Sequence, residues 1–215
     1  ITLTRPASLQ TTQAYQQGWV EVQDRGSQAV CDVVARAVPN PALVIDLCAG
    51  AGGKSLALAA QYGPNTHIIA TDQDARRLSA LAPRAARAQT EIVSQPLDER
   101  FYQQFHRTAD LVILDVPCSG SGTLRRHPDL AWRLTDAAVQ HYVTLQRQII
   151  TQGLTLLKPG GKLLYITCSL LKNENQNQVD WLLKSAQNGA FLPVDNLRVV
   201  ELPKLWNIDE VGAVT

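Results

Sequence analysis

The 215-residue chain contains no methionine and begins at Ile1, so it is expected to be a piece of a longer protein or a processed or engineered form. No apolar run is long enough to span a bilayer and no signal-peptide pattern opens the chain, so neither a membrane nor an export route is expected. The formal net charge is +1, which removes any global signature of nucleic-acid binding. A basic surface for such a partner would have to be a local patch. Only four cysteines are present, Cys31, Cys48, Cys118 and Cys168, and none are closely paired. That spacing argues against a zinc site, and a chain of this size needs no disulfide staple, so no metal and reduced thiols in a cytoplasmic compartment are expected. Repeats and low-complexity tracts are also missing.

What is present is an ordinary globular composition, 45% hydrophobic and 18% charged, enough for one α/β domain with a core. Residues 1–40 read as an N-terminal linker and lead-in segment, with a short strand expected at Gly18–Asp24 and a helix capped by Ser27. Residues 41–215 then alternate strand and helix. Strands are expected at Leu43–Cys48, His67–Thr71, Glu91–Ser94, Leu111–Leu114 and Lys162–Ile166. Helices are expected at Gly53–Tyr62, Ala75–Ala88 (kinked or restarted at Pro83), Glu99–Phe105, Thr135–Leu157 and Asn173–Ala186, with short β patterns at Phe191–Val194 and Leu197–Leu202. Such alternation implies a doubly wound, Rossmann-like parallel sheet with helices on both faces and ligands at the strand carboxyl ends.

The chain is organised around Val44-Ile45-Asp46-Leu47-Cys48-Ala49-Gly50-Ala51-Gly52-Gly53-Lys54. An apolar strand runs into an acid, a dense glycine turn and a helix start. Bare glycine backbone lets a ligand approach, and the first N–H groups of the helix are open donors. The spacing matches neither the dinucleotide fingerprint nor the Walker loop, so a pyrophosphate is poorly served and a nicotinamide dehydrogenase is a distant option. Asp72, at the end of the second strand, can accept from ribose hydroxyls. On residues alone, the glycines could merely close a turn and Asp72 could merely cap a helix.

Cys118 and Cys168 each follow a strand end, and the two strands should be neighbours. Both thiols should therefore open onto the crevice that holds the glycine loop. A thiolate is a strong nucleophile once its pKa is lowered, although a single strand-end cysteine is usually a buried hydrophobe. Asp115 stands just before Cys118.

Asp46–Lys54 resembles the Asp-Leu-Cys-Ala-(Ala/Gly)-Pro-Gly-Gly-Lys loop of the RNA 5-methylcytosine methyltransferases. Asp115-Val116-Pro117-Cys118-Ser119-Gly120-Ser121-Gly122 resembles their Asp-Ala-Pro-Cys-Ser loop. Arg125-Arg126-His127-Pro128-Asp129, Tyr165-Ile166-Thr167-Cys168-Ser169 and the lead-in Gly18–Gln28 extend the likeness from about Gly18 to about Trp181, nearest to the bacterial Sun/Fmu type acting on small-subunit ribosomal RNA. The resemblance implies a methyltransferase domain, S-adenosylmethionine as cofactor, RNA as partner and carbon 5 of a cytosine as the methylated atom. It implies that Cys168 adds to carbon 6, that Cys118 assists release, and that Asp115 holds the cytosine amino group or ring nitrogen. It assigns Asp46, Cys48, Ala49, Gly50, Gly52, Gly53, Lys54, Asp72, Asp98 and Asp115 to the cofactor, and Arg125, Arg126 and His127 to RNA phosphates or the active-site loop.

The sequence departs from the pattern at Ala51, where the family has proline, and at Gln95-Pro96-Leu97-Asp98, where the family has Gly-Asp. The aromatic C-terminal strand and the upstream helical RNA-binding domain are also missing. A truncated or divergent C-terminal end follows as an expectation. The alternatives are an idle RNA-binding or ribosome-assembly module of the same fold, and a methyltransferase acting on another substrate.

Overall fold

The computed structural model describes residues 8–189. The β patterns expected at Phe191–Val194 and Leu197–Leu202, and the C-terminal end, lie outside the described residues.

Helix α1 (Gln13–Gln16) leads into an irregular stretch through Gly18–Asp24 rather than the expected strand. The reason is local. Glu21 accepts from both Arg84 and Arg87, Arg87 lies over the Tyr15 ring, and Gln23 donates to the Gly53 carbonyl at 3.1 Å. The segment is bound by side chains to a helix and to the glycine loop, and it pairs with no strand. Helix α2 (Arg25–Ala37) is capped by Asp24, whose carboxylate accepts from Gly26 N–H at 2.9 Å, and not by Ser27. An acid three residues upstream captures the open N–H groups first.

Strand β1 (Leu43–Asp46), helix α3 (Gly53–Tyr62) and strand β2 (His67–Ala70) form the first strand–helix–strand unit, with the two strands paired in parallel. The helix expected at Ala75–Ala88 is two pieces, α4 (Ala75–Leu78) and α5 (Leu81–Arg87). The break falls before Pro83, which sits in the first turn of α5, where its missing N–H costs no hydrogen bond. Strand β3 (Ile92–Ser94), helix α6 (Glu99–Gln104) and strand β4 (Ala109–Asp115) follow. After a loop that holds the short helix α7 (Leu130–Arg133) comes the long helix α8 (Asp136–Leu156), capped as expected by Thr135. Strand β5 (Leu157–Ile166) contains the expected Lys158–Gly161 turn as an irregularity: Leu157 pairs with Ala109, and pairing resumes with Lys162 opposite Leu111. Helix α9 (Gln176–Gln187) closes the described chain.

The strand order is β3-β2-β1-β4-β5 and every pair is parallel. The central strands are apolar on both faces, as a sheet covered by helices on each side requires. Ile45, Val112 and Leu114 pack with Phe101, Ile149 and Ile150 of α6 and α8. Val44, Leu111 and Ile113 pack with Cys31, Val34 and Leu58 of α2 and α3. The chain reverses direction across the sheet between β1 and β4, so their carboxyl ends frame the crevice where ligands bind in such sheets. Among the described residues no helix is long and apolar enough to cross a membrane.

Candidate active site

Three strand ends meet at the crevice. Asp46 ends β1, Asp115 ends β4, and Cys168 lies two residues beyond β5. Asp46 is fully buried beneath the glycine loop and accepts from the Ser55 hydroxyl at 2.7 Å, so it anchors the start of α3. Burial raises its carboxyl to about 6, and the Ser55 bond opposes the rise. The loop above is pinned by Ala49 N–H to the Thr71 carbonyl and by Gly50 N–H to Asp72 Oδ2. Gly52 caps α3 in the left-handed region at φ 78°, and a Cβ there would stand 2.2 Å from Leu81 Cδ1. Gly52→Ala is therefore expected to cost about 2 kcal/mol through strain and overpacking. A thermal melt of the variant should show Tm lowered by about 4–8 °C.

Beside the loop is a cavity of about 270 Å³. Leu97, Tyr102 and Ile149 supply apolar walls, Cys48 and Leu47 one flank, Asp72 and Gln73 a polar end, and Pro117 borders it on the side of the cysteine loops. Asp72 is buried and takes three donors: Gly50 N–H, Asp74 N–H and the Arg77 guanidinium at 3.2 Å. A carboxylate offers about four acceptor positions, so one remains for a ligand hydroxyl. Apolar walls for a purine and a spare acceptor for a ribose fit an adenosine-bearing ligand without pyrophosphate. Of the other expected cofactor residues, Asp46, Ala49, Gly50, Gly52 and Gly53 build the loop behind the cavity. Asp98 caps α6 by accepting from Phe101 N–H at 2.9 Å, and its neighbour Leu97 forms the wall.

Lys54 and Asp115 form an ion pair at 2.5 Å that ties α3 to the end of β4. Beyond it, the sulfurs of Cys118 and Cys168 stand 3.2 Å apart. The hydrogen bond from Cys168 lowers the Cys118 thiol to about 6; burial opposes this, while Thr167 and the N–H groups of Gly120 and Cys168 reinforce it. Cys168 is pushed up by the same sulfur contact and by burial. The sulfur contact therefore favours a shared proton, with negative charge drawn toward Cys118. Since the thiolate is the reactive form, alkylation of Cys118 by iodoacetamide should rise as pH climbs through about 6. In Cys168→Ala the rise should move up toward the ordinary cysteine range, which mass mapping of the labelled peptide would measure. Cys31 and Cys48 are different: burial raises both thiols, Cys31 to about 11.

Arg125, Arg126 and His127 are all exposed on the loop after Cys118, and Arg126 pairs with Asp24 at 2.8 Å. Trp132 of α7 is 90% exposed on the same loop. Sequence reasoning passed over this tryptophan, and also Arg77, Gln146 and Glu174. The one visible signal for the last two was the serine that follows each cysteine, Ser119 and Ser169. Among the described residues no group of three or more His, Cys, Asp or Glu gathers around a metal-sized space.

The pattern of the family described as 16S rRNA methyltransferase RsmB/F matches residues 34–202, which is most of the chain. The chain belongs to this family. Curated relatives include ribosomal RNA small subunit methyltransferase B of Cronobacter sakazakii, 35% identical over 210 residues, 97% of this chain and 48% of that protein. The same enzyme of Proteus mirabilis is 33% identical over 190 residues, 87% of this chain and 44% of that protein. The RsmB/F chain thus spans about half the length of the curated relatives it matches. Among solved structures, NSun6 from Pyrococcus horikoshii with SFG superposes with a TM-score of 0.73 at 26% identity, over 84% of this chain and 46% of that one. A methyltransferase homolog protein from the same organism gives 0.71 at 28% identity, over 84% of this chain and 56% of that one. The expected Sun/Fmu-type methyltransferase family and the doubly wound α/β fold both stand.

Proposed function

We propose that this chain is the catalytic domain of a methyltransferase that modifies carbon 5 of a cytosine in RNA, most directly small-subunit ribosomal RNA, in the cytoplasm. The observation that carries the reading is the pair of sulfurs 3.2 Å apart at the ends of β4 and β5, beside the Lys54–Asp115 pair and an adenosine-sized cavity. Membership of the RsmB/F family and the neighbour solved with SFG, an S-adenosylmethionine analogue, support it.

The cofactor is S-adenosylmethionine, which supplies an electrophilic methyl group when bound. Asp72 would accept from its ribose, Leu97, Tyr102 and Ile149 would flank its base, and the backbone of Ala49–Gly53 would border its amino acid end. Carbon 5 of cytosine is a poor nucleophile until a group adds to carbon 6. Cys168, the exposed member of the pair, adds there, and its proton passes to Cys118 across the sulfur contact. Asp115, with Oδ2 held by Lys54, accepts from the cytosine amino group and holds the ring for addition. Once Cys118 has shed its proton to solvent, it takes the proton from carbon 5. The Cys168–carbon 6 bond then breaks and Cys168 leaves as a thiolate, to be reprotonated. The balance is one proton released per methyl group transferred.

The target base must leave its stack to reach this pocket. Trp132, Arg125 and His127, exposed on the loop beside Cys118, offer an aromatic face and cations for the surrounding strand, with Arg126 bracing the loop through Asp24. The reading is tested with S-adenosylmethionine labelled in its methyl group and a small-subunit ribosomal RNA. Label should enter that RNA and not an equivalent RNA free of cytosine. Equal labelling of both would favour another substrate, and no labelling of either would favour an idle RNA-binding module.

A further inference from the structure

Glu174 precedes α9 in a polar run, Lys172–Gln178, yet it is fully buried. Its carboxylate lies between the two cysteine loops. Oε1 accepts from Ser119 N–H and from Gln146 Nε2, both at 2.9 Å. Oε2 accepts from the Ser169 hydroxyl at 2.5 Å. Ser119 directly follows Cys118 and Ser169 directly follows Cys168, so one carboxylate grips the residue after each sulfur. The grip is itself braced, because Gln146 also donates to the Pro117 carbonyl at 3.0 Å and Tyr165 donates to the Glu174 carbonyl at 2.7 Å. Charge-assisted bonds of this kind are short and directional, and a dry surround strengthens them.

We propose that Glu174 is a positioning residue that sets the separation of Cys118 and Cys168. This rests on the reading above only in that those two cysteines do the chemistry. No lone hydroxyl or amide could replace it, since the clamp needs two acceptor oxygens facing two loops at once. Glu174→Gln keeps the shape and one acceptor but turns the other into a donor toward Ser169.

The test uses the intact chain without RNA or methyl donor, so a failed methylation assay leaves it standing and its own failure leaves the function standing. The protein is equilibrated in a glutathione buffer, where two thiols and one glutathione disulfide give a Cys118–Cys168 disulfide and two glutathione thiols. Peptide mapping by mass spectrometry reads the disulfide fraction, and circular dichroism with a thermal melt confirms the fold. A positioning role predicts that Glu174→Gln disfavours the disulfide by about tenfold, raising the pair's potential by about 30 mV. Ser169→Ala, which removes only the Oε2 donor, should shift it in the same direction and carries the test if Glu174→Gln does not fold. A folded Glu174→Gln with the wild-type disulfide equilibrium would overturn the proposal. If only Ser169→Ala folds, a wild-type equilibrium in that variant would overturn it equally.

Discussion

Cys168→Ala should abolish methyl transfer, lowering kcat by at least about a thousandfold, equivalent to ~4 kcal/mol of barrier. Cys168 is the more exposed member of the pair, and the sulfur contact pushes its thiol up while it lowers that of Cys118. A thiol with a base 3.2 Å away can add to carbon 6 while its proton moves to that base. Cys118 lies more deeply, ringed by donors that suit a resident anion. Removing Cys168 deletes the bond-forming atom; of the other strand-end thiols, Cys118 is less exposed and Cys48 is pushed up by burial. Cofactor binding should survive, because Cys168 is not among the residues lining the cavity. Titration calorimetry with S-adenosylmethionine beside the labelled-methyl assay separates the two effects. Full activity in the variant would sink the assignment.

Cys118→Ala should behave differently and leave protein covalently joined to RNA. Addition by Cys168 and methyl transfer can still occur, but nothing then takes the proton from carbon 5, and the adduct cannot break. A band of protein plus RNA should persist on a denaturing gel and disappear in the double variant. The loss of Cys118 also removes the main cause of the raised Cys168 thiol and the base that activates it. Cys168 then falls toward the ordinary cysteine value of about 8.5, so only a few per cent is thiolate at neutral pH. The trapped band should consequently form slowly at pH 7 and faster toward pH 9. A wild-type turnover rate with no band would show that Cys118 is not the release base.

Much of this was legible in the residues because it lies in short, contiguous stretches. The alternation of strands and helices, the glycine loop, and two cysteines after adjacent strands all follow from local patterning and the parallel-sheet rules. Part of what was not legible depends on contacts distant in sequence, and part on which of several nearby residues takes a cap. Gly18–Asp24 alternates like a strand, yet Glu21 with Arg84 and Arg87, more than sixty residues away, holds it irregular. Ser27 was outcompeted as a cap by an acid that the same stretch placed earlier. Asp98 turns out to cap a helix, and the cavity wall beside it is Leu97. Glu174 was hidden most completely: a glutamate in a polar run reads as surface, and its burial arises only when α8, β5 and both cysteine loops meet around it.

The central claim is that carbon 5 of cytosine is the atom methylated, by way of addition at carbon 6. RNA carrying tritium at carbon 5 of its cytosines tests this most directly, because the exchange must expel that hydrogen. Tritium should pass to water in a one-to-one ratio with methyl groups gained by the RNA, and the release should stop in Cys168→Ala. Methyl groups gained while the tritium stays on the RNA would contradict the account.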